Sequence, residues 1–122
     1  MRILIVDDSQ TMRLLQRAAL EQLGHECAGE AVNGAEALEK AAICSPELIL
    51  LDLRMPVMDG LTFVRNYRQR DRHTPIIVVT SESDKPRVIE AFRLGVTDFL
   101  VKPFTPDTLA RRIEDTTRRA AG

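Results

Sequence analysis

An α/β domain built on one parallel sheet with helices on both faces is predicted by three features of the chain. Short apolar runs recur along it, capped amphipathic segments separate them, and the two kinds alternate in five β-then-α units. Parallel strands need crossover connections, and those crossovers are right-handed, so strict alternation produces a doubly wound sheet. The 122 residues suit one domain, 1–122, that buries roughly two-thirds of its unfolded surface without a disulfide or metal staple.

Arg2 to Asp7 (RILIVD) and Pro75 to Thr80 (PIIVVT) have the β-branched composition of strands buried on both faces. Leu48 to Asp52 (LILLD) is too short for a helix before Pro56 and is read as a third strand. His25 to Glu30 and Thr97 to Val101 are shorter or more polar, as sheet edges are. Ser9 caps a helix from Gln10 to Leu23 that Gly24 stops. Asn33 and Glu36 form a capping-box-like pair opening a helix to Cys44, ended by Ser45 and Pro46. A third helix runs from Gly60 to Gln69, with Leu61, Val64 and Arg68 along one face and Phe63 and Tyr67 along its neighbour. Asp84 precedes a helix carrying Val88, Ala91 and Phe92 and stopped by Gly95, and Thr105 with Pro106 opens the last.

The balance of 17 Lys+Arg against 18 Asp+Glu gives a formal charge of −1, which argues against direct nucleic-acid binding, since that depends on many cationic contacts to phosphate. Anionic membrane surfaces are disfavoured on the same ground. No apolar run approaches the ~20 residues of a membrane span, and MRILIVDD lacks a signal-peptide pattern, so a cytoplasmic location is expected. Cys27 and Cys44 have no CxxC spacing and are read as small hydrophobes. His25 and His73 fall at strand starts, the wrong end of the sheet for a site.

In open α/β sheets ligands bind beyond the carboxyl ends of the strands, where strand order reverses. The residues at those ends are Asp7 and Asp8, Asp52, Thr80 and Lys102. Singly, each has a plainer role: Asp8 as a helix cap, Thr80 as a strand residue, Lys102 as a solvated turn charge. Together they form a pocket of three carboxylates, a hydroxyl and an ammonium. Carboxylates so close must take up protons or bind a cation, and an all-oxygen site with room for water and phosphate suits Mg²⁺. Lys102 is placed to pair with Asp52 at rest and with phosphoryl oxygens on their arrival, and Thr80 can donate to such an oxygen. The set reads as a phosphoryl acceptor.

Asp7-Asp8, Asp52 followed by Met55-Pro56 and Asp59-Gly60, Thr80-Ser81 and Lys102-Pro103-Phe104 together resemble the signature of response-regulator receiver domains of two-component signalling. The resemblance covers the whole chain and is nearer to the single-domain chemotaxis regulators. It implies a flavodoxin-like doubly wound five-stranded parallel sheet, order 2-1-3-4-5, with five helices. Asp52 would take a phosphoryl group from a sensor histidine kinase or histidine phosphotransfer protein. Asp7, Asp8, Asp52 and the backbone carbonyl of Arg54 would hold Mg²⁺, with Lys102 and Thr80 as the other catalytic groups. Thr80 and Phe99 would switch the face formed by the fourth helix, fifth strand and fifth helix, where a downstream protein would dock. The chain would act as a monomer or a phosphorylation-dependent dimer. Phe99 stands where the chemotaxis regulators usually carry Tyr. Arg54 and Glu82 also depart from that pattern, and an ion pair between them across the site's mouth would tune hydrolysis of the acyl phosphate.

Other readings on related chemistry fit less well. A flavin phosphate would be repelled by Asp7-Asp8 without a metal, nicotinamide binding lacks GxGxxG, and a haloacid-dehalogenase-like phosphatase would carry DxD after the first strand. An adaptor on the same scaffold usually loses part of the acidic set, which is intact here. A receiver domain cut from a longer transcriptional or enzymatic regulator is the alternative within the same family. The expected product is thus a signalling switch, not an enzyme of steady turnover.

Overall fold

The computed structural model describes residues 1–121, and at residues 82, 120 and 121 the backbone only. Strands β1 (Arg2–Val6), β2 (Glu26–Ala31), β3 (Leu48–Leu51), β4 (Ile76–Thr80) and β5 (Asp98–Val101) alternate with helices α1 (Gln10–Gln22), α2 (Gly34–Cys44), α3 (Gly60–Tyr67), α4 (Lys85–Leu94) and α5 (Pro106–Ala121). All neighbouring strands pair in parallel, in the order β2-β1-β3-β4-β5. The expected fold class and strand order are therefore observed.

Side-chain alternation on the inner strands divides the core in two. Leu4, Val6, Ile49, Leu51, Ile76 and Val78 pack with Ala37, Ala41, Phe63, Val64, Tyr67 and Ala91, so α2, α3 and α4 cover one face. Ile3, Ile5, Leu48, Leu50, Ile77 and Val79 pack with Ala19, Leu20, Leu109 and Ile113 of α1 and α5 on the other. Each fully buried Leu or Ile contributes roughly 1.5–3 kcal/mol, which explains why strands apolar at every position lie in the centre. The more polar β2 and β5 lie at the two edges.

Local signals set the helix starts. Ser9 Oγ accepts from Met12 N at 3.2 Å, Asn33 Oδ1 from Glu36 N at 2.8 Å, Asp59 Oδ1 from Thr62 N at 2.9 Å, and Thr105 Oγ1 from Thr108 N at 3.1 Å. A cap of this kind contributes about 1 kcal/mol. The Asn33 capping box is displaced by one residue, for Glu36 Oε1 accepts from Val32 N at 3.3 Å. Gly24 and Gly95 take the left-handed backbone expected of helix stops, at φ 85° and 109°.

The differences from expectation lie at element ends. β1 and β3 stop one residue before Asp7 and Asp52, because those carboxylates accept from Ser9 N and Arg54 N and turn the chain out of the sheet. α3 stops at Tyr67, and a short 3₁₀ turn, Glu82–Asp84, precedes α4. At the amino ends of the strands, Asp71 accepts from Tyr67 Oη, Thr74 Oγ1, Thr74 N and His73 N at 2.6–3.0 Å. These bonds outweigh the upward push of burial and hold its carboxyl well below the usual carboxylate range. His73 lies in this turn, and His25 Nδ1 is 3.0 Å from the Met1 amino group, as their strand-start positions implied.

Val57, in the loop from β3 to α3, has φ 69° and is 86% exposed. A β-branched residue in left-handed backbone costs roughly 1–2 kcal/mol, of which glycine's greater unfolded-state entropy returns part. Val57→Gly is therefore expected to stabilise the protein by about 1 kcal/mol, read as a higher urea midpoint at an unchanged slope.

Candidate functional site

The residues that end β1 and β3, Val6 and Leu51, are register partners at the point where strand order reverses. Asp7 and Asp52, one residue further on, must therefore emerge side by side, and Asp52 N donates to Val6 O at 2.9 Å. Asp8 follows in the same loop. Carboxylate oxygens of Asp7, Asp8 and Asp52 all lie within 4.8 Å of one another. Gly60 closes the floor: a Cβ there would meet Asp52 O at 2.5 Å and Leu53 Cα at 2.8 Å, so only glycine lets α3 begin against the backbone of the site.

The three carboxylates are held differently. Asp7 is 1% exposed, and it accepts from Ser9 N at 2.9 Å, Gln16 Nε2 at 3.3 Å and Lys102 Nζ at 3.1 Å. Arg13 Nη1 donates to its backbone carbonyl at 2.7 Å. Asp8 is exposed. Asp52, 9% exposed, accepts a long bond from Arg54 N at 3.4 Å and lies 3.8 Å from Lys102 Nζ. The rigidly anchored acid is thus Asp7, while Asp52 is left with weakly committed oxygens.

Lys102 differs from expectation in its resting partner. It bonds to Asp7 and makes only the longer contact with Asp52. Asp7 is the more deeply buried charge, and an unpaired buried carboxylate is the costlier one. The placement of Lys102 follows from the sheet, since Lys102 N donates to Thr80 O at 2.7 Å where β4 and β5 end together.

Burial is the largest influence on Asp52 and pushes its pKa up. Lys102 opposes it, Asp7 adds to it, the Arg54 amide opposes and Asp8 adds, leaving a value of about 6. The cluster therefore carries more negative charge than its one nearby ammonium offsets.

Thr80 ends β4 at 2% exposure, and its hydroxyl donates to Asp84 Oδ2 at 3.3 Å. The Arg54 guanidinium also goes to Asp84, with Nε and Nη2 each 3.0 Å from a carboxylate oxygen. Arg54 and Asp84 thus form a bidentate pair in which the planar guanidinium fork matches a carboxylate. The expected Arg54–Glu82 pair rests on the Glu82 side chain, which lies outside the described residues. Phe99 is outward on β5 at 36% exposure, its ring edge-on to Phe92 of α4 at 6.2 Å and beneath the Arg112 guanidinium of α5 at 5.9 Å. Val88, Ile89, Phe92, Phe99 and Val101 line an apolar groove with Thr80 at its inner end.

Gln16, Arg13 and Asp84 are the site residues that sequence reasoning did not single out. Gln16 had a signal: it lies on the buried stripe of α1 with Ala19 and Leu20, and a polar group in that stripe needs a partner. Asp84 had none beyond its position before α4, because its partner Arg54 is 30 residues away.

A family profile described as "Response regulator receiver domain" matches residues 3–114. The chemotaxis protein CheY of Bacillus subtilis is 41% identical over 115 residues, spanning 94% of this chain and 96% of that protein. The transcriptional regulatory protein ResD of the same organism is 38% identical over 120 residues, covering 98% of this chain but 49% of its own length. Among solved structures, that of the Vibrio cholerae chemotaxis protein CheY4 superposes with a TM-score of 0.86 at 36% identity, covering 94% of this chain and 97% of that one. With the paired acids at the switch point, Lys102 across from them and this match over nearly its full length, the chain belongs to the response-regulator receiver domain family and resembles its CheY-type members.

Proposed function

We propose that Asp52 accepts a phosphoryl group from a sensor histidine kinase or a histidine phosphotransfer protein, in a Mg²⁺-dependent reaction, and that the resulting acyl phosphate changes which protein binds the face of α4, β5 and α5. The observation that carries this reading is the convergence of three carboxylates within 4.8 Å of one another, two of them within reach of one lysine. CheY-type receiver domains are signalling switches rather than turnover enzymes.

The donor set fits Mg²⁺: it consists of oxygens alone, from Asp7, Asp8, Asp52 and the Arg54 carbonyl, and few enough of them to leave positions for water and phosphate. Bound there, the ion would offset the carboxylate charge and draw in phosphoryl oxygens. The chain's own groups perform the transfer. An oxygen of Asp52 attacks phosphorus, the P–O bond forms as the P–N bond of phosphohistidine breaks, and the imidazole departs. Asp52 suits the attack because its lone pairs are weakly committed. Lys102, on a flexible stem, moves its charge toward the new phosphoryl oxygens, and Thr80 supplies the hydroxyl donor at the end of β4.

The docking face follows from the groove that joins Thr80 to Phe99. Movement of Thr80 toward the phosphoryl group opens space beneath an aromatic ring now held by Phe92 and Arg112. The partner is a protein, with the chain acting as a monomer or as a dimer formed through that face on phosphorylation. We place the reaction in the cytoplasm, where kinases draw on ATP. Among the described residues no helix is long and apolar enough to cross a membrane. A second reading, the receiver unit of a longer regulator, is favoured by the match to ResD, and the mass of the endogenous protein separates the two.

Acetyl phosphate with Mg²⁺ is expected to place an acid-stable, base-labile label on the parent. None should appear on Asp52→Asn or in excess chelator; label retained by Asp52→Asn would overturn the assignment.

A rise in the Asp52 pKa from 3.8 to about 6 means that the folded state binds the proton more tightly than the unfolded one. Stability from this group is therefore full below pH 4 and declines as pH rises to 6, by about 3 kcal/mol at neutral pH. Metal-free Asp52→Asn is expected to be about 1–3 kcal/mol more stable than the parent at pH 7 and to lack that decline, as urea titrations across pH 4–7 would show. Mg²⁺ should raise the parent's midpoint more than the variant's.

For the output, Phe99→Ala is expected to keep Mg²⁺-dependent labelling while losing most of the phosphorylation-dependent gain in partner affinity. Equal coupling in both proteins would remove Phe99 from the switch.

A further inference from the structure

Asp84 is a nearly buried carboxylate, its side chain 4% exposed, that the phosphotransfer chemistry does not use. Four donors converge on it: Arg54 Nε and Nη2 at 3.0 Å, Arg87 Nη1 at 3.2 Å and Thr80 Oγ1 at 3.3 Å. Burial pushes its carboxyl up, but the bonds from Arg54 and Arg87 outweigh that and keep it below its ordinary value, so it is an ionised acceptor at neutral pH. It does not cap α4, the helix it precedes. The chain thus spends a buried charge and two arginines on a residue whose remaining bond is to the hydroxyl at the end of β4.

A threonine hydroxyl has one proton to donate. A phosphoryl oxygen is an acceptor, so Thr80 can bind it only with that proton. The same proton has Asp84 Oδ2 at 3.3 Å as its nearer acceptor here, with Ser81 O at 3.5 Å the other. The phosphoryl oxygen and Asp84 compete for it.

We propose that Asp84 is a positioning residue that holds the Thr80 hydroxyl in the resting state, so that phosphorylation of Asp52 must break the Thr80–Asp84 bond before the switch can turn. Arg54 and Arg87 anchor the carboxylate from two sides, one from the β3–α3 loop and one from α4. Arg54 also presents its backbone N–H to Asp52 at 3.4 Å, so one of the two anchors of the latch lies in the loop that follows the acceptor. The affinity of the site for a phosphoryl-like anion is then set partly by how firmly Asp84 is anchored, and not only by the acidic cluster, Lys102 and Mg²⁺. The proposal rests on Asp52 being the phosphoryl acceptor.

The test measures binding of beryllium trifluoride, a phosphoryl mimic, to the full chain in saturating Mg²⁺. Asp84→Ala should bind it about 5–10-fold more tightly than the parent. Asp84→Asn, which keeps the shape and one weaker acceptor, should show a smaller gain in the same direction and serves if the alanine variant fails to fold. In a Thr80→Val background the Asp84 substitutions should change affinity less than twofold, because no hydroxyl remains to release. A gain that persists with Thr80→Val would mean that Asp84 acts through its charge alone, and would overturn the latch. Unchanged affinity in Asp84→Ala and Asp84→Asn, with the parent binding normally, would overturn it too. A parent that binds no beryllium trifluoride in Mg²⁺ would defeat the phosphoacceptor reading itself, and the latch with it.

Discussion

The constraint on which the rest of the site depends is the meeting of two strand ends at the reversal of sheet order. Parallel pairing of Val6 with Leu51 leaves the next residues, Asp7 and Asp52, no course but to lie together. Their repulsion, with that of Asp8, is then a fixed feature of the folded chain rather than an accident of side-chain placement. Hydrophobic burial on both faces of β1 and β3 supplies the free energy that keeps them there.

The fold divides this burden unequally. Asp7 is surrounded by donors from α1 and by Lys102, while Asp52 keeps oxygens that are buried yet lightly bonded. Such a carboxylate is well suited to exchange partners, for a cation or for an electrophilic phosphorus, without first losing strong bonds. The resting position of Lys102 against Asp7 fits the same division: the ammonium offsets the charge that is buried most deeply and lies 3.8 Å from Asp52.

Away from the carboxylates, short contacts between side chains of different elements run from the site toward the surface. Thr80 is tied to Asp84, Asp84 to Arg54 and Arg87, and the groove beside Thr80 leads to Phe99, Phe92 and Arg112. These links connect the end of β4, the turn before α4, the β3–α3 loop, β5, α4 and α5. Asp84, Arg54, Phe92 and Phe99 all lie outside the two apolar clusters built on the inner strands.

Much of this was legible in the chain itself, because it is encoded in local pattern. Apolar runs of strand length, caps such as Ser9 and Asn33, and stops such as Gly24 and Gly95 act over a few residues, so the alternation and the sheet class follow from them. The five strand-end residues were identifiable because their chemistry makes sense only as a group, and parallel topology dictates which ends coincide. What tertiary structure alone decided is how competing donors are shared. That Lys102 rests on Asp7, and that Arg54 and Thr80 both turn to Asp84, depends on distances between groups tens of residues apart and on which charge is most buried. Those choices are settled by desolvation and hydrogen-bond geometry in the packed protein, quantities that no run of neighbouring residues contains.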